Sequence, residues 1–350
     1  MAQSSIVSER EFCDSSSFIF VTKANMAGGA AVTEELKQLL TPELFTTIVK
    51  ARLPYDRHAS IEFAEFGRHI FLEDHFGPVV QEKAWRALLA LSKAGLDHIP
   101  DPSVFLPRPT DDSYPEQCLG LILLLDHCPR LLFAGIDERW TYSYFLPLSE
   151  RLAQTWYALP AEQRPDSWER WRKSSGLEYW IGVRFWFGTP FVHSERLDNQ
   201  RTALEFTDGT RTVVERETGT RDLWRERRDE VLADLTGFPR VYRAGPPQGD
   251  DVTAASWTYW MCMLMDIHYP VIERFGRYPY LNLIRGRKST DEEIVWIEEV
   301  RHFGETTEDV ATRVAEDVEA GRWTPLGTDS LGESRSSVRA ALNTALDGSR

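Results

Sequence analysis

Apolar residues return every third or fourth position through most of this chain, and the runs stop at proline or glycine. Leu44, Ile48 and Val49 follow Thr41 and Pro42, a hydroxyl cap ahead of a proline in the first turn. Val80, Ala84, Leu88 and Leu91 share one face of a run over 77–94 that stops near Gly95. Strand-like alternation is scarce. The pattern predicts an all-α fold of antiparallel helix pairs. Further helices are expected at 116–127, limited by Pro129, and at 137–159, bent at Pro147. Others are expected at 194–206, 220–236 and 307–320, and over 254–275 with Gly276 as its cap. A Ser289/Glu292 capping box opens one more, running to about Arg301. Residues 207–219 alternate Val with charge and fit either a hairpin or a helix extension. The expected plan is a flexible arm over 1–35, one helical domain over 36–322 and a largely irregular tail over 323–350, with a short helix near 338–346.

Composition narrows the partners. A net charge of −14 and a pI near 5.1 argue against nucleic acid or an anionic membrane surface. The longest aliphatic run, Leu121 to Leu125, is too short to span a bilayer, and the first residues lack the pattern of a secretion signal. Cys13, Cys118, Cys128 and Cys262 are scattered, so a disulfide framework or zinc knuckle is not expected; Cys128 and Cys262 have apolar neighbours that suit reduced core thiols. A cytoplasmic setting follows. The 12 Trp, 11 Tyr and 18 Phe can fill a core, and they also suit walls for a flat or apolar ligand.

Three blocks stand out: LILLLDHCPRLLFAG at 121–135, PFVHSERLDNQ at 190–200 and HYPVIERFGRYPYLNLIRGRKSTDEE at 268–293. In order and content they resemble domain of unknown function family 924. That resemblance implies a tetratricopeptide-like, all-helical array, with a family domain over about 40–305. It implies no settled activity. The chain departs from the family blocks where His127, Leu131, Val192, Tyr269, Pro270, Tyr280 and Leu281 replace polar residues. A cavity shared by these positions would be greasier here than in relatives.

The same blocks hold the candidate site. Asp126 and Arg130 are four apart, fit to pair with each other or with Arg and Glu groups of the other blocks, either as a structural salt bridge or as a poised carboxylate. His127, His193 and His268 are the other acid/base candidates, with a satisfied core residue the plainer reading of His268 after its apolar helix. His193 and Glu195 lie two apart and cannot face one ligand from a helix. No HExxH or related spacing supplies a metal site, and no glycine-rich phosphate loop or GxSxG elbow is present. Arg274, Arg277, Arg285 and Arg287 cluster among aromatic turns, fit to clamp a carboxylate or phosphate or to tie helices together through buried acids; Arg274 and Arg277 also suit a helix C-terminus. Trp186, Tyr278, Tyr280 and Asn282 complete the expected binding set, with Arg277 counted beside Asp126 and the histidines as catalytic. The expectation is a cofactor-free enzyme on a small hydrophobic substrate, of cyclase, isomerase or cycloaddition (Diels–Alderase) type in secondary metabolism. Two alternatives stand beside it: a helical scaffold for a peptide or protein partner, and a hydrolase or transferase for an anionic metabolite.

Overall fold

A computed structural model describes residues 34–72, 76–95, 99 and 101–330; most of the expected arm, the helix expected near 338–346 and Cys13 lie outside the described residues. Among the described residues every regular element is helical. The longer helices are α1 (Pro42–Arg52), α2 (Phe63–Phe71), α3 (Pro78–Ala94), α4 (Tyr114–Ile122), α5 (Cys128–Leu132), α6 (Leu146–Tyr157), α7 (Leu177–His193), α8 (Leu197–Thr218), α9 (Gly237–Ala244), α10 (Ala254–Asp266), α11 (Tyr269–Phe275), α12 (Asp291–Glu299) and α13 (Glu308–Glu319). Packing runs from α1 to α4, α4 to α7, α7 to α8 and α8 to α10, an order compatible with a tetratricopeptide-like array. Gly120 brings α4 against α1, since a Cβ there would stand 2.6 Å from the Phe45 backbone. The largest hydrophobic cluster reaches from Leu36 to Leu326; a second gathers Ile272, Tyr278, Trp296 and Val314 at the C-terminal end.

Local rules account for several boundaries. The Thr41 hydroxyl accepts the Leu44 N–H at 3.2 Å and opens α1. Gly276 ends α11 in the left-handed region at φ 68°. Elsewhere the structure corrects the expectation. Pro129 does not stop its helix. Leu123–His127 widens into a π turn, the Cys128 N–H reaches back to the Leu123 carbonyl, and the helix passes the proline and continues as α5. A second π turn, Thr141–Phe145, carries the chain past Pro147 in the same way. The expected single helix over 254–275 is two, because Pro270 starts α11 without an N–H to give, leaving His268 at the junction. The capping box is Thr290/Glu293, one residue later than expected. Residues 207–219 extend α8: Phe206, Thr207, Thr210, Arg211 and Val214 are buried at helical spacing. The stretch expected as a helix over 220–236 is helical only in part, as a 3₁₀ turn at Arg225–Arg227 and a six-residue α-helix at Arg228–Ala233.

The first residues of the tail are docked. The buried Asp137 carboxylate accepts backbone N–H groups from Gly327 (3.2 Å), Thr328 (3.2 Å), Asp329 (3.0 Å) and Ser330 (2.8 Å). Asp329 in turn pairs with Arg313 at 2.7 Å and accepts the Ile136 N–H at 2.8 Å. Asp137→Ala is expected to undo this seat, because four backbone donors lose one shared acceptor. Tryptic cleavage after Arg322 should then speed up without loss of far-UV helix signal; unchanged cleavage would show that the seat does not hold the segment.

Candidate active site

The two π turns and the end of α7 meet at one place. Asp126 sits on the first π turn with its side chain 1% exposed, and His193 is the last residue of α7. The His193 Nδ1 lies 2.9 Å and 3.0 Å from the two Asp126 carboxylate oxygens. An ionised carboxylate only accepts, so Nδ1 carries the proton and donates it, and Nε2 keeps its lone pair. The His193 side chain is 26% exposed. Arg130, one turn on from Asp126, places a terminal nitrogen 3.6 Å from the same carboxylate and its guanidinium over the Tyr142 ring at 5.3 Å. Tyr142 stands on the second π turn.

Electrostatics fix the protonation pattern. Burial opposes ionisation of Asp126, but His193 and Arg130 outweigh it and hold the carboxyl below the usual carboxylate range. For His193, burial comes first and the Arg130 charge second; both disfavour the imidazolium, and Asp126 only partly offsets them, so the pKa falls below 6.5. The pair therefore rests as carboxylate and neutral imidazole.

A row of rings lies in the electrostatic neighbourhood of His193. His268 donates Nδ1–H to the Leu264 carbonyl at 2.8 Å and stacks on Phe238 at 3.8 Å between ring centres. Burial pushes its pKa down to about 3, and the nearby His193 adds to the fall, so His268 is neutral. Tyr278, Tyr280 and Phe303 follow: Tyr280 lies 5.4 Å from Tyr278 and 5.9 Å from Phe303. Tyr280 shares its electrostatic surroundings with Arg130 and Tyr142.

A family model described as bacterial protein of unknown function, DUF924, matches residues 106–300. The chain belongs to this family. The DUF924 match begins well after the 40 expected from the blocks, so α1, α2 and α3 precede it. No curated protein and no solved structure matches the chain.

The three DUF924 blocks therefore converge, but not on one cluster. Asp126, Arg130, His193, His268 and Tyr280 come together. Arg277, expected as catalytic, instead holds Glu293 through Nε (2.5 Å) and a terminal nitrogen (2.6 Å), and donates to the Lys288 carbonyl at 3.0 Å. Arg274 pairs with Glu292 on the surface. Arg287 grips both oxygens of Glu195 at 2.7 Å and 2.9 Å, and Arg285 adds a third contact at 2.5 Å. Asn282 is buried and donates to Ser289 and Glu293 at 3.1 Å and 3.2 Å. The Tyr278 hydroxyl donates to the Val192 carbonyl and accepts from Gln200 at 2.9 Å, clamping the backbone beside His193. His127 faces away from its neighbour Asp126, packed between Phe76 and Trp186 with the Trp186 ring centre 4.4 Å away. His193 and Glu195 do diverge, one to Asp126 and the other to the arginines.

Sequence reasoning missed Tyr142, Phe238, Phe303 and the anchoring acids Glu195 and Glu293. The acids had a signal, since both lie in the family blocks. The rings had none, because each is an ordinary apolar position until the fold brings it beside His268 or Tyr280. Among the described residues no three His, Cys, Asp or Glu side chains are grouped to hold a metal ion, and no helix is long and apolar enough to cross a membrane.

Proposed function

We propose that the protein is a cofactor-free acid–base enzyme acting on a small hydrophobic molecule, with His193 as the proton-transferring group and Asp126 as the residue that orients it. The observation that carries this is the Nδ1–carboxylate contact, which leaves Nε2 of a partly exposed, neutral imidazole with its lone pair. A base held this way suits isomerisation or cyclisation by proton transfer. A concerted cycloaddition asks for no base, so it is the less supported of the reactions expected. Hydrolysis or group transfer on an anionic metabolite loses support for another reason: Arg274, Arg277, Arg285 and Arg287 have carboxylates of the chain itself for partners. The three buried thiols, Cys118, Cys128 and Cys262, suit a cytoplasmic setting.

The test is deuterium uptake from D2O into a panel of apolar carbon acids, read by mass spectrometry. Wild type is expected to accelerate uptake into at least one compound, and His193→Gln to lose it by roughly 10²- to 10⁴-fold. The rate should hold as pH falls through 6.5 and drop only below it, because the base form of His193 survives to lower pH than that of an ordinary histidine. Equal uptake with wild type and His193→Gln across the panel would sink the enzyme reading in favour of the helical scaffold.

A further inference from the structure

The stretch between α5 and the second π turn leans on a strap formed by residues 322–330. The Ala134 N–H donates to the Ser330 hydroxyl at 3.2 Å, and the Ile136 N–H donates to Asp329 at 2.8 Å. The Trp140 indole N–H donates to the Thr324 carbonyl at 3.0 Å. Arg139 lies over the Trp323 ring at 3.9 Å. Between these contacts the buried Asp137 gathers the strap's backbone and the Ser330 hydroxyl, the latter at 2.7 Å. Gly135 lets the two segments meet: its φ is 59°, and a Cβ there would collide with the Asp329 carboxylate. The DUF924 match covers this stretch and stops at 300, short of the strap.

The stretch joins two parts of the site. Arg130 comes before it on α5, and Tyr142 after it on the second π turn. Those two side chains meet, guanidinium over ring at 5.3 Å, and Arg130 lies 3.6 Å from Asp126. A hold on the middle of the stretch is therefore a hold on how its two ends face each other. We propose that the strap is a positioning element for the site: seated on Asp137, it keeps Arg130 against Tyr142 and Asp126, and so sets the charge that His193 meets. The inference rests on the proposed function only for where the site is, since its contacts ask for no substrate. The groups about His193 are Asp126, Arg130 and the neutral His268, with Tyr142 and Tyr280 beside Arg130. Arg130 disfavours the imidazolium and Asp126 favours it. A released strap loosens the first influence, so His193 should take up its proton at higher pH.

An imidazole ¹⁵N titration of His193 in the full chain tests this. Asp137→Ala, with release of the strap read as faster tryptic cleavage after Arg322, is expected to move the His193 titration to higher pH. Arg130→Met should move it the same way, and adding Asp137→Ala to Arg130→Met should move it no further. Thr328→Ala, an exposed strap position whose hydroxyl donates to the Pro325 carbonyl, should leave it in place. If Asp137→Ala does not fold, Asp329→Ala, which takes the acceptor from the Ile136 N–H and from Arg313, is read instead. If Arg130→Met does not fold, the strap variant decides alone. Cleavage unchanged in both strap variants, a His193 titration that stays or falls once the strap is released, an equal shift in Thr328→Ala, or a further shift on the Arg130→Met background would each overturn the proposal. A shifted titration with no deuterium exchange in wild type would remove the acid–base role and leave the strap's; exchange in wild type with an unmoved titration would remove only the strap's.

Discussion

Asp126→Asn is expected to cut deuterium exchange by about 10²- to 10⁴-fold while leaving the helical fold in place. The substitution preserves shape but reverses the hydrogen bond. The asparagine amide can turn an N–H toward Nδ1, and the imidazole then carries its proton on Nε2 and has no lone pair there to offer. Two further readouts separate this from simple damage. Imidazole ¹⁵N spectra should show Nδ1–H in wild type and Nε2–H in the variant, which needs no substrate at all. Whatever activity remains should also move. Asp126 is the one influence that raises the His193 pKa, working against burial and Arg130, so its loss shifts the acid limb of the rate profile further down. Wild-type spectra showing a protonated His193 at neutral pH, or Nε2–H already present, would remove the base on which the mechanism stands.

The pairing of Asp126 with His193 was not legible, although both residues were. They lie 67 positions apart, and nothing in either block says which of several acids an imidazole will meet. Arg277 shows the same limit. Its charge and place near a helix end were visible, but a fork for a ligand and a fork for Glu293 have the same sequence, because the partner arrives through tertiary packing. Local chemistry carried further. Thr41 with Pro42 and Gly276 set boundaries that depend on one or two residues. The π turns escaped for the opposite reason: Leu123–His127 and Thr141–Phe145 have ordinary helical sequences, and the wide turn arises where a continuing helix must pass a proline. In residues 207–219 the helical signal was present but spoken by polar residues. Thr207, Thr210 and Arg211 occupy the buried face beside Val214, and Arg211 is tolerated there because Asp222 and Asp266 receive it at 2.6 Å and 2.7 Å.

Glu293→Gln should lower stability at neutral pH by about 3 kcal/mol. Its side chain is 2% exposed. It accepts from both nitrogens of Arg277, from the Thr290 N–H at 2.7 Å that closes the capping box of α12, and from Asn282. Burial works against the charge, but Arg277 and Thr290 outweigh it and hold the carboxyl at about 2, below its ordinary 4.5. A depressed carboxylate stabilises the fold above its unfolded pKa and loses that contribution as pH falls toward the folded one. The gap between wild type and Glu293→Gln, read from urea midpoints, should therefore be full above about 4.5 and close by about 2. Arg277→Ala leaves Glu293 buried without its cation and should cost about 3 to 5 kcal/mol. Neither variant is expected to change the ¹⁵N signature of His193, because Arg277 and Glu293 make their contacts with Lys288, Thr290 and Asn282. A stable Arg277→Ala protein that no longer accelerates deuterium uptake would reverse this division and return Arg277 to the site.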